Sequence, residues 1–130
     1  EVTPVPAPAP ATAAVVGIDL GTTYSVVSHM DSQGRPGSVP NAEGDITTPS
    51  ILFLDPAGAV VGKEAIKAAE FEPANVARHP KRFMGQKTYP DPVRGEIWQP
   101  EVLQAAILRK LKLDAEQKLG TLERAVVTVP

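Results

Sequence analysis

"VVGIDLGTTYSVVSHM", residues 15–30, is the stretch that decides the fold. An apolar run ends in Asp19, a tight turn passes through Gly21, Thr22 and Thr23, and apolar sequence resumes after Tyr24. Two short apolar runs around a few turn residues predict an antiparallel hairpin, with "VVGIDL" as a buried strand and "YSVVSHM" as its partner. Gly21 supplies backbone freedom at the tip. The carboxylate and the two hydroxyls beside it call for a further reason. Successive backbone N–H groups in a turn form an anion-binding concavity, and Thr22 and Thr23 add hydroxyl donors for phosphate oxygens. A carboxylate at a strand end repels a bare phosphate, but it suits a site where a divalent cation such as Mg2+ lies between the two. The same residues also fit a plain hairpin whose Asp and Thr side chains satisfy turn amides.

The rest of the chain gives this hairpin its setting. "DSQGRPG" is a turn-rich connection, and "SVPNAEGDITTPSILFL" holds a third strand, a polar loop and a fourth strand around Ile51 to Leu54. "DPAG" is a turn. "KEAIKAAEFEPANVA" has helical composition that Pro73 breaks into two pieces. "PKRFMGQKTYPDPVRGEIWQ" is irregular. In "PEVLQAAILRKLKLDAEQKLG", Leu103, Ile107, Leu111, Ala115 and Leu119 recur every four residues, which predicts a long helix with one apolar face. Pro100 and Glu101 suit its first turn and Gly120 its stop. Trp98 is expected to pack against it. "RAVVTVP" is read as a buried strand parallel to one of the first strands. The class is α/β, a mixed sheet with antiparallel hairpins and a long helix.

With 130 residues and no internal repeat, the chain holds at most about one domain. Pro4, Pro6, Pro8 and Pro10 alternate with small residues, so residues 1–13 read as an extended linker or tail and residues 14–130 as the folded part. Glu1 is not an initiator methionine, and the apolar "AVVTVP" has nothing after it to cover it; the sequence reads as a piece of a longer protein, cut at both ends.

The net charge of −2 gives no general reason to expect nucleic acid as partner. Charge is uneven, however: residues 1–62 hold one base, Arg35, against six acids, and residues 63–130 hold 12 bases against 9 acids. That basic half begins at Lys63 and includes Lys81, Arg82 and Lys87; it could face a polyanion such as nucleotide phosphate or simply be a solvated surface. No cysteine is present, which excludes disulfides and thiol chemistry and permits a reducing cytoplasm. No apolar run approaches membrane-spanning length. "GAVVGKE" is not a P-loop, because its glycines are one residue too close and Glu64 stands in the Ser/Thr place; no G-x-G-x-x-G occurs. His29 and His79 show no ligand spacing.

Five segments in order, "GIDLGTTYSVV", "PNAEGDITTPSILF", "VVGKEAIKAAEFEPANV", "KRFMG" and "LRKLKLDAEQKLG…AVVTVP", resemble the start of the DnaK-type heat-shock chaperones, the heat shock protein 70 family. The likeness covers about residues 15–130 and breaks mainly at 86–99, where this chain is shorter than most members. It implies an actin-like (ribonuclease H-like) ATPase domain of two lobes around a nucleotide cleft, with this chain supplying most of the first lobe and inactive alone. ATP or ADP and Mg2+ are the implied ligands. By the resemblance, Asp19 holds the Mg2+ water shell. Gly21, Thr22, Thr23 and Tyr24 form the loop on the β- and γ-phosphates, and Lys81 orients the attacking water and stabilises the γ-phosphoryl charge. Composition alone would make Lys81 a surface lysine. Thr47 is implied to reach the nucleotide through water, and Pro130 to switch between nucleotide states, although a strand terminator is its plain alternative. Arg82 is expected to be a surface or interlobe charge. Implied partners are unfolded client polypeptides, bound through another domain, a J-domain co-chaperone and a nucleotide exchange factor, in the cytoplasm, with no nucleic acid and no membrane. The shortened 86–99 region puts the exchange-factor contacts in question. An actin-like filament protein and a sugar or acetate kinase share the acidic residue and Gly/Thr loop; "TTPS" and "KRFMG" favour the chaperone.

Overall fold

The computed structural model describes residues 14–30 and 33–128. The Pro/Ala-rich leader and Pro130 lie outside the described residues. The hairpin forms as the sequence predicts: β1 (Ala14–Leu20) pairs antiparallel with β2 (Tyr24–Met30), placing Asp19 opposite Val26 and Leu20 opposite Ser25. On its other edge β2 takes β3 (Pro36–Val39) beside Val27 to Met30 and β4 (Thr47–Pro49) beside Tyr24 to Val26. A second, antiparallel sheet has the order β6 (Gly58–Val61), β5 (Ile51–Asp55), β7 (Val76–Arg78). Helix α1 (Lys63–Ala69) follows β6. Helix α2 (Pro100–Leu119) leads into β8 (Leu122–Thr128), which lies parallel to β1 with Asp19 opposite Thr128.

Strand alternation explains the core. Val16, Ile18 and Leu20 of β1 and Val27 of β2 share one cluster with Leu103, Ile107, Leu111 and Ala115 of α2. Side chains on a strand alternate between faces. Leu52 and Leu54 of β5 therefore join that cluster, while Ile51 and Phe53 turn to the other side, against Ala65 and Ala69 of α1 and Val76 of β7. This is why "ILFL" is apolar without interruption. Each buried side chain of this size contributes about 1.5–3 kcal/mol relative to exposure.

Four expectations change. The polar loop before Pro49 contains β4, and "GAVV" is strand β6. Past Pro73 the chain forms a 3₁₀ turn (Pro73–Asn75) and then β7, not a second helix. Val76 and Ala77 complete the open edge of β5, and pairing there overrides helical composition. β8 begins at Leu122 and is not buried: its residues 123–128 are exposed, because among the described residues it is an edge strand that pairs with β1 alone.

The irregular stretch after β7 is anchored by aromatics. Tyr89 is buried, edge-on to Phe83 at 5.3 Å, and its hydroxyl accepts from the Arg78 N–H (2.8 Å) and donates to the Arg78 carbonyl (3.1 Å). Trp98 packs on the core beside α2, as expected, and its Nε1–H donates to the Val93 carbonyl at 2.9 Å. The loop after β3 is fixed to α2 by ions. Lys110 Nζ lies 2.6 Å from Asp114 and 3.0 Å from Glu43. Among the described residues no helix is long and apolar enough to cross a membrane.

Candidate phosphate-binding turn

The turn at residues 20–23 sits at the carboxyl end of β1. Because α2 runs back to begin β8, its N-terminal half lies at that same end, where ligands settle in open α/β sheets. A 3₁₀ turn, Pro80–Phe83, packs on α2 and carries Lys81.

Each carbonyl of the turn is held by the protein. The Leu20 carbonyl accepts from Lys81 Nζ. The Gly21 carbonyl accepts from Ser50 Oγ at 3.1 Å, and the Thr23 carbonyl from the Ser50 N–H at 2.9 Å. The Thr22 carbonyl lies 3.0 Å from His79 Nδ1. Gly21 is required by close approach: a Cβ there would collide with the Tyr24 carbonyl. Trans peptides are planar, with C=O and N–H pointing opposite ways. Holding the Gly21 and Thr22 carbonyls inward therefore turns the Thr22 and Thr23 N–H groups outward. Among the described residues neither of these N–H groups donates to a protein acceptor, nor do the two hydroxyls.

Asp19 is exposed on the face of the sheet opposite α2. The strand register places Thr128, Asp19, Val26 and Thr47 in one row across β8, β1, β2 and β4. The Thr128 hydroxyl is 3.4 Å from the Asp19 carboxylate. Thr47 is exposed and two strands from Asp19, about 10 Å at ordinary strand spacing. Tyr24, half exposed, opens β2 directly after the turn. Lys81, read from composition as a surface lysine, is half-buried and tied to the turn; Arg82 is exposed. Asp19, Gly21, Thr22, Thr23, Tyr24 and Lys81 thus meet at one end of the sheet. Among the described residues no group of three or more His, Cys, Asp or Glu forms a metal cage, so a cation beside Asp19 would draw its remaining ligands from water and phosphate.

Two residues escaped the sequence reading. Ser50 is fully buried and braces the turn twice; its only signal is its place at the end of "TTPS". His79 touches Thr22 from a left-handed backbone (φ 49°, ψ 54°), which costs a non-glycine residue about 1–2 kcal/mol. No spacing in the sequence announces it. The His29 ring, by contrast, lies away from the turn, with Nδ1 3.2 Å from the neighbouring Met30 carbonyl.

The family model described as Hsp70 protein matches residues 15–94. Two curated relatives, the proteins named "Chaperone protein DnaK" from two strains of Halobacterium salinarum, are each 41% identical over 117 residues. The match takes in 89% of this chain and 18% of each relative, so the chain spans less than a fifth of their length. A family match over most of the chain and a collinear likeness at this identity agree: the chain belongs to the Hsp70 family.

Proposed function

We propose that residues 14–130 form the first lobe of an actin-like ATPase domain in an ATP-dependent chaperone, with the turn after β1 as its site for the β- and γ-phosphates. The supporting observation is convergence: Asp19, the Thr22 and Thr23 donors, and Lys81, 61 residues from Leu20, meet at one sheet end. Phosphoryl transfer needs little covalent chemistry from a protein; it needs positioning and cations near the equatorial oxygens. The Thr22 and Thr23 N–H and hydroxyl groups bind and orient phosphate oxygens. Lys81, already at the turn, supplies an ammonium for the γ-phosphoryl group and its attacking water. Mg2+, when bound, would supply neutralising charge on the phosphates, and Asp19 is the residue that would hold it, through water. Tyr24 borders the turn, Thr47 reaches the nucleotide through water, and Pro130, just beyond Thr128, relays the nucleotide state. Adenine contacts, client binding, and docking of a J-domain co-chaperone and an exchange factor in the cytoplasm belong to the full-length protein.

The test is the magnesium dependence of ATP binding by the full-length protein. Asp19→Asn should raise the Mg2+ concentration needed for half-maximal ATP binding by about tenfold, as loss of one carboxylate contact implies. An unchanged Mg2+ requirement would leave Asp19 as an ordinary turn residue.

A further inference from the structure

We propose that His79 is a positioning residue for the phosphate turn: its imidazole fixes the peptide joining Thr22 to Thr23 and so aims the Thr23 N–H at an incoming phosphate. The inference rests on the phosphate-binding function proposed above. His79 adopts left-handed backbone, φ 49° and ψ 54°, which Gly, Asn and Asp enter far more readily. It also precedes Pro80, whose ring favours extended backbone in the residue before it. An outlier of this kind persists where its surroundings over-determine it. Two contacts do so here. The His79 N–H donates to the Ser50 carbonyl at 2.8 Å, and Nδ1 lies 3.0 Å from the Thr22 carbonyl. A carbonyl only accepts, so Nδ1 carries the proton and donates.

The effect on the turn follows from peptide planarity. With its oxygen held against the imidazole, the Thr22 peptide group must direct the Thr23 N–H the other way. That N–H donates to no acceptor among the described residues, and Thr23 is exposed. Ser50 holds the carbonyls on either side, at Gly21 and Thr23. Without the imidazole, the central peptide is the one left free to rotate. Its donor would then have to be reoriented each time a phosphate binds, and preorganisation would be lost.

The test compares MgATP with adenosine, which carries no phosphate, by calorimetric titration of the full-length wild type, His79→Gly and His79→Asn. Glycine keeps the left-handed backbone and removes the ring; asparagine keeps the backbone and returns a side-chain N–H near the place of Nδ1. His79→Gly should bind MgATP about tenfold more weakly with adenosine affinity unchanged, the effect of one lost orienting hydrogen bond. His79→Asn should recover to within about threefold of wild type. MgATP affinity unchanged in His79→Gly, an equal loss for adenosine, or no recovery in His79→Asn would each overturn the role of His79 alone. A wild-type protein that gains no affinity from the phosphates would overturn the phosphate-turn proposal together with it.

Discussion

At Gly21 the Tyr24 carbonyl leaves no room for a side chain. Gly21→Ala should therefore force the turn open and destabilise the fold by about 1–3 kcal/mol, as overpacking does elsewhere. Calorimetric melting measures this, and an unchanged Tm would mean that the turn has room which its geometry denies. Residues of this kind were legible in the sequence because turn chemistry is local. Asp19, Gly21, Thr22 and Thr23 lie within five consecutive residues, and their backbone and donor requirements can be stated from side-chain type alone. Ser50 and His79 were not legible. Their contacts to the turn span 29 and 57 residues, and nothing in a serine or a histidine announces which distant carbonyl it will meet. Lys81 was placed only by family resemblance, since a lone lysine carries no local signal for half-burial.

Among the elements, α2 was the most legible, because a four-residue period sustained from Leu103 to Leu119 is the mark of a helix with one apolar face. β6 and β7 were not, since strands of four and three residues are defined by the partner they pair with. α2 also carries an ionic lock that apolar periodicity does not show. Lys110, Asp114 and Glu43 have side chains 15%, 8% and 19% exposed, so removing the cation leaves two little-solvated carboxylates unpaired. Lys110→Met should cost about 3 kcal/mol, the low end for breaking a buried pair, read as a lower urea midpoint. A midpoint equal to wild type would show the lock to be energetically idle. The pH dependence has a definite sign. Burial opposes the charge of Lys110, but hydrogen bonds and attraction from Asp114 and Glu43 outweigh it and raise its pKa above the ordinary 10.5. A folded value above the unfolded one means the contribution is complete below pH 10.5 and fades as pH climbs through the folded value. Wild type should lose urea stability on that alkaline side more steeply than Lys110→Met; parallel curves would contradict the assignment.

For the whole molecule, β8 is decisive in two ways. It is an edge strand with Val126 and Val127 exposed at 62% and 39%, and apolar edges of this kind favour self-association. Sedimentation of residues 1–130 should show association that grows with concentration, and a strictly monomeric chain would count against an open edge. The mixed α/β class and the parallel return of the last strand were legible, because a hairpin, a long helix and an apolar strand in that order leave few arrangements. The apolar residues of β8 read as those of a buried strand, but exposed apolar area was expected as well for want of a covering element, and Val126 and Val127 show it. β8 also brings Thr128 to Asp19, so the proposed site draws on the first strand, the last strand and the Lys81 turn together. If this convergence makes a phosphoryl-transfer site, Lys81→Ala in the full-length protein must slow the chemistry. Asp19, Thr22 and Thr23 remain to hold nucleotide, while a cation acting on the transition state is gone. Single-turnover hydrolysis of bound ATP, paired with an ATP titration, should show a rate about 10²–10³ lower with affinity little changed. Hydrolysis at the wild-type rate would contradict such a site and return Lys81 to the role of a lysine that braces the Leu20 carbonyl.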